Sequence, residues 1–289
     1  MRTIKIVTSG LTTSVGPLRV AQPLPVHALR DADPFILLHH AGPQTFEPGS
    51  EVHKVEEHPH RGFEPVTFVY KGSVLHRDSL GNEGVIGDDE VQWITSGRGI
   101  MHEEGPTAEM ASQNGTLELI QLWVNLPANK KLMDPAYQEL HRDLLPVVTA
   151  LDGKAAMRVV AGTYMNTTGP AVTQSPIVAV MGRITEGAKG TLELPPLDTT
   201  LLYVLGGTLT VGDQSVDEKR LVLFNPPEQD MPDSNITVEA HSDARILLVA
   251  GKPHGEPIAT YGPFVMNTEE ELHDAFRDLA GGKFGSIYG

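Results

Sequence analysis

Short runs of β-branched and aromatic residues, each ended by a glycine or proline turn, recur through this chain and confine it to an all-β architecture. In the first half they occupy residues 35–38, 65–70, 74–78, 91–95 and 117–126, after a weakly alternating opening strand within residues 1–20. Residues 42–49, Lys71-Gly72-Ser73, Leu80–Gly84 and Gly97-Arg98-Gly99 supply turns between them. The pattern dissolves from Pro127 to about Leu151, where a linker is expected, and resumes at 177–184, 199–205, 208–211, 221–224, 236–240 and 245–250. Strands at this spacing build sandwiches or barrels. With 289 residues, two domains are expected, residues 1–135 and 150–289.

One helix stands out, at the C-terminus. Thr268 with Glu271 three residues on makes a capping box, and Leu272, Ala275, Phe276 and Leu279 form an apolar stripe that Gly281 ends. His273 lies off that stripe and reads as a surface residue.

The two halves align on a glycine turn. Tyr70-Lys71-Gly72-Ser73-Val74 is similar to Val204-Leu205-Gly206-Gly207-Thr208 at an offset of 134 positions. The same offset sends His58 to Leu192, His60 to Leu194 and Glu64 to Asp198, and no histidine occurs between His141 and His241. The second half is therefore expected to hold no metal.

Composition removes several functional classes. The chain has no cysteine, which excludes disulfides, thiolate metal sites and cysteine nucleophiles. A net charge of −15 without a basic run argues against direct binding of nucleic acid. No apolar stretch approaches the roughly 20 residues of a membrane span, and the N-terminus lacks a signal-peptide pattern. A soluble cytoplasmic protein is the expectation.

The chemistry concentrates between His58 and Glu104. In an extended strand His58 and His60 share a face, as do His102 and Glu104. Brought opposite one another, the two pairs supply three imidazoles and a carboxylate, a ligand set for a divalent cation. In an uninterrupted strand Glu64 has the same parity as His58 and His60 and is a rival carboxylate. The adjacent His39 and His40 read as a strand end or loop, since at most one of them can face a site. Arg61 and Arg98 either steer an anion or form ion pairs. Phe63, Phe68, Trp93 and Trp123 either line an aromatic pocket or pack the core.

These motifs resemble one family. The run His58-Pro59-His60-Arg61-Gly62-Phe63-Glu64, then Gln92-Trp93, Gly97 to Glu104, Gln121 to Leu126, and Tyr261 to Thr268 near the end look like the pirin family of the cupin superfamily. The resemblance spans nearly the whole chain and implies two stacked jelly-roll β-barrel domains with a short C-terminal helix and metal only in the first. It implies His58, His60, His102 and Glu104 as ligands, with Glu64 outside the coordination shell. The metal is expected to be iron(II), with zinc, nickel, copper and manganese tolerated. One departure is the histidine pair after Leu38, where pirins more often carry an acidic residue.

The resemblance implies two functions. In one, the chain is a quercetin 2,3-dioxygenase: an aromatic hydroxy-ketone binds through a deprotonated oxygen, Glu104 is catalytic in taking the proton, and molecular oxygen is the co-substrate. In the other, the metal site is regulatory and the partner is a transcription-related protein, since the acidic surface offers nothing to DNA.

Overall fold

The computed structural model describes residues 1–16, 18–47, 53–227 and 234–288. Contacts divide the chain into two compact units, each assembled from separate stretches. Residues 12–20, 35–142 and 254–289 make the histidine unit; residues 1–11, 21–34 and 143–253 make the leucine unit. The expected division at a single linker thus differs at both termini, and the reason lies in burial. Ile4 and Val7 pack on the apolar core of the leucine unit as Ile4–Ser9 pairs with Arg220–Phe224. The C-terminal helix Glu269–Ala280 buries Leu272 and Ala275 with Phe264, Met266 and Phe284 in the histidine unit.

Each unit is a jelly-roll cupin built from a seven-stranded and a four-stranded antiparallel sheet. In the histidine unit the larger sheet runs Ala136–Leu140, Glu90–Thr95, Phe63–Lys71, Thr116–Asn125, Phe35–Thr45, Leu18–Leu24, Leu11–Val15. The smaller runs Val55–His60, Ile100–Pro106, Val74–Asp78, Glu83–Ile86. The leucine unit repeats the smaller sheet as Lys189–Glu193, Asn235–Ala240, Leu209–Val211, Gln214–Val216. Strand Phe63–Lys71 is buried on both faces up to Tyr70, which explains its continuous apolar character. Strand Val74–Asp78 alternates between buried and half-buried residues, placing Val74, His76 and Asp78 inside.

The 134-residue offset reappears as register. His102 lies opposite His58 in the histidine unit, and Ile236 lies opposite Leu192 in the leucine unit. Leu192 and Leu194 are fully buried in an all-apolar cluster, so leucines fill the space that imidazoles take in the other barrel. At the glycine turn itself the match slips by one residue, because Gly72 and Gly207 both have φ of 89°.

The expected linker is partly a structural element. Ala136–Leu140 pairs with Glu90–Thr95 and extends the large sheet. Lys131, read as part of a polar connection, is 1% exposed. Its ammonium donates to Gly62 O at 2.8 Å, Val265 O at 3.0 Å and Asn125 Oδ1 at 2.6 Å. The turn expected over residues 42–49 is strand as far as Thr45, and residues 48–49 and Glu51 lie outside the described residues. His39 and His40 are consequently mid-strand, not at a strand end. The helix cap forms as expected: Thr268 Oγ1 accepts from Glu271 N, and Glu271 Oε2 accepts from Thr268 N. Among the described residues no helix is long and apolar enough to cross a membrane.

Gly62 breaks the chain where it leaves the small sheet for the large one. Its φ is 86°, and a Cβ there would stand 2.0 Å from Val265 O. Lys131 and Arg61 hold the same bend; the Arg61 guanidinium donates to Arg98 O at 2.5 Å and Asp278 at 2.9 Å and packs over Phe284. Arg61 is therefore a buried clamp on the C-terminal helix, while Arg98 pairs with exposed Asp134. Gly62→Ala is expected to lower stability by about 2 kcal/mol or more, through strain and the backbone clash. A urea titration of the apo-protein would read this as a lower midpoint at constant slope; an unmoved midpoint would contradict the constraint.

Candidate metal centre

Strand order delivers the histidines. Ile100–Pro106 lies between Val55–His60 and Val74–Asp78, with His102 paired to His58 on one side and Asp78 on the other. The His58 and His102 rings stand 4.3 Å apart, His58 and His60 4.8 Å, and His60 and His102 4.9 Å. Among the described residues this trio forms the one group with metal-ligand chemistry, one ligand atom from each lying within 4.8 Å of the others. Ligand atoms around an ion at about 2.1 Å are roughly 3–4 Å apart, so small ring movements complete the shell.

The nitrogens suit that use. His58 Nδ1 lies 2.7 Å from Glu56 O, and His60 Nδ1 3.4 Å from Pro263 O, contacts that engage Nδ1 of each ring and leave Nε2 for an ion. His60 Nε2 and both nitrogens of His102 are buried without a hydrogen-bond partner in the protein. Burial pushes the His60 and His102 pKa values well below the usual imidazole range, and neighbouring histidines push them further. Both rings are therefore neutral and carry the lone pair a metal needs. The residues present fit a divalent cation.

Glu104 stands beside this trio but outside it. Its Oε2 accepts from Gln92 Nε2 and its Oε1 from Gln121 Nε2, each at 2.6 Å. The Val55–His60 strand bulges by one residue opposite, so Glu104 pairs with Val55 and not with Glu56. Glu104 also lines an apolar pocket with walls that include Val15, Leu18, Val20, Val74 and Leu119, with His39 and Gln121 as the other polar residues. The pocket is narrow, with a cavity volume of about 30 Å³. A planar aromatic guest therefore has to spread the walls. Burial lowers the His39 pKa to about 4, keeping that wall uncharged at neutral pH.

The rival carboxylate is elsewhere. Glu64 follows the Gly62 break, so the parity that links it to His58 and His60 in a continuous strand does not apply. Fully buried, it accepts from Trp93 Nε1 at 3.1 Å and Thr95 Oγ1 at 2.8 Å. His40 pairs with Glu118 at 3.3 Å on the opposite side of its strand from His39. Phe68 and Trp93 are core residues, whereas Phe63 and the half-buried Trp123 stack at 4.2 Å and abut His60. His273 is exposed, as its place off the helix stripe implies.

Sequence reasoning passed over His76 and Tyr137. His76 is buried against Asp78, its ring stacked on Tyr137 at 4.4 Å and 5.4 Å from His102. The available signal was parity: His76 and Asp78 alternate within their strand as His102 and Glu104 do within theirs.

Comparison with known proteins gives the lineage. A Pirin family model matches residues 17–124, and a model described as the Pirin C-terminal cupin domain matches residues 179–285. The chain belongs to the pirin family. It is 36% identical to a pirin-like protein of Caulobacter vibrioides over 97% of this chain and 98% of that one. It is 43% identical to a Pseudomonas aeruginosa protein named "Putative quercetin 2,3-dioxygenase", over 87% of this chain and 86% of the relative. The crystal structure of a quercetin 2,3-dioxygenase from Acinetobacter baumannii superposes with a TM-score of 0.91 at 37% identity, covering 99% of each chain.

Purified protein reconstituted with iron(II) or cobalt(II) is expected to hold close to one ion per chain by elemental analysis, and His102→Ala to hold almost none. Full occupancy in that variant would contradict the cluster's role.

Proposed function

We propose that this pirin is a metal-dependent dioxygenase acting on a small aromatic hydroxy-ketone of the flavonol class, such as quercetin. One observation carries the reading: His58, His60 and His102 converge, with buried and unpartnered nitrogens on His60 and His102, next to Glu104, which lines an apolar pocket. The likeness to proteins named as quercetin dioxygenases supports the same reaction class.

In this reading His58, His60 and His102 hold the ion, and Glu104 completes the set once its carboxylate turns from the amides of Gln92 and Gln121. Iron(II) suits a shell of three imidazoles and one carboxylate. When bound, the ion supplies a Lewis acid for a hydroxyl of the substrate and redox chemistry toward oxygen. The protein's own part is binding and proton handling. Valine and leucine walls desolvate the aromatic rings, and Glu104 takes the proton that the hydroxyl loses on binding. Gln121 and Gln92 are placed to donate to whichever carboxylate oxygen is left free, holding it in line.

A second reading draws on the narrow pocket. A site that admits little more than water also suits a metal-dependent regulator that works through a protein partner, its substrate pocket vestigial.

Oxygen uptake by the iron-loaded protein decides between them. Quercetin is expected to stimulate uptake with loss of its visible absorbance, and Glu104→Gln to lower kcat about 100-fold or more. Absence of quercetin-dependent uptake at full iron occupancy would overturn the dioxygenase reading and favour the regulator.

A further inference from the structure

The His76–Asp78 pair is buried, polar and outside the proposed ligand set, and no step described above uses it. Both side chains are fully buried, with His76 Nε2 3.1 Å from Asp78 Oδ2. Asp78 also accepts from Leu80 N at 2.9 Å, Asn82 N at 3.1 Å and Asn82 Nδ2. Asp78 already accepts from three other N–H groups through its two oxygens, and His76 Nε2 faces it as a further donor. The second ring nitrogen, Nδ1, is buried with no partner in the protein.

The sheet sets that nitrogen on the strand next to His102. The strand Ile100–Pro106 is central to the small sheet, with His58 across from His102 on one side and Asp78 on the other. On the far side Asp78 faces His102 and His76 faces Glu104, so His76 lies diagonally across from His102 on the neighbouring strand. Both His102 nitrogens lack partners, and only one can serve an ion. The His76 and His102 ring centres are 5.4 Å apart, and an N–H···N bond between two imidazoles sets them about 5 Å apart. Stacking on Tyr137 at an interplanar angle of 2° keeps His76 in place for that contact.

We propose that His76 is a positioning residue for the metal centre: anchored by Asp78, it accepts a hydrogen bond from the His102 nitrogen that faces away from the ion. This rests on the assignment of His58, His60 and His102 as ligands. A ligand histidine gains basicity and a fixed orientation from such an acceptor, and loss of the acceptor typically weakens metal binding about 10- to 100-fold. The Tyr137 strand, in the stretch where the sequence alone reads as linker, then has a task in the site.

The test is cobalt(II) affinity by chelator competition, with visible absorption of the bound ion and the apo-protein melting temperature as parallel readouts. His76→Phe keeps the stack on Tyr137 but removes the acceptor. It is expected to bind cobalt about 10- to 100-fold more weakly with an altered spectrum, and its apo-protein to melt within a few degrees of wild type. His76→Gln restores an acceptor oxygen and is expected to recover most of the affinity. Affinity of His76→Phe within twofold of wild type would overturn the proposal, as would a loss in His76→Gln equal to that in His76→Phe. If His76→Phe does not fold, Asp78→Asn carries the test: weaker binding supports the role and unchanged binding overturns it. Cobalt binding that survives His102→Ala would sink the ligand assignment itself, a failure separate from that of His76.

Discussion

The pairing of His102 with His58 across two antiparallel strands is the contact on which the rest of the site depends. It places two imidazoles within reach of one ion, and His60 joins them two residues along the same strand. Everything nearby maintains that register. Gly62 lets the chain turn out of the small sheet immediately after His60, and Lys131 binds the turn's carbonyl from below. Arg61, tied to Asp278, fastens the bend to the C-terminal helix. A lysine buried this completely is tolerated because three oxygens surround its ammonium.

The leucine unit shows what the same frame does without that chemistry. Leu192 faces Ile236 at the equivalent register, and the interior closes into a continuous apolar cluster. In the histidine unit the corresponding space holds polar atoms without protein partners, on His60, His76, His102 and Gln92. Each such atom costs about 1–3 kcal/mol when buried and unsatisfied. A bound cation removes that cost for the ligand nitrogens, so occupancy of the site and stability of the barrel are coupled.

Much of this was legible in the sequence because strand parity is a local rule. The pairs His58/His60 and His102/Glu104, the 134-residue offset and the capping box at Thr268 each follow from spacing alone. Parity fails where the backbone departs from a plain strand. Glu64 shares parity with the histidines only if Gly62 is extended, and Gly62 is not. Glu104 keeps its face but stands off from the trio, opposite a bulge that spacing does not reveal. Tyr137 and Lys131 were invisible for another reason: a five-residue edge strand and a single buried ammonium leave no periodic signature in a stretch of prolines and polar residues. Likewise, the exchange of termini between the two units is a tertiary choice that no local pattern encodes.

X-ray absorption at the metal edge of the reconstituted protein reads the central contact most directly. Multiple-scattering features from three imidazoles are expected, with metal–nitrogen distances of about 2.1 Å. A shell of oxygen scatterers with no imidazole signal would mean that the three rings converge without holding the ion.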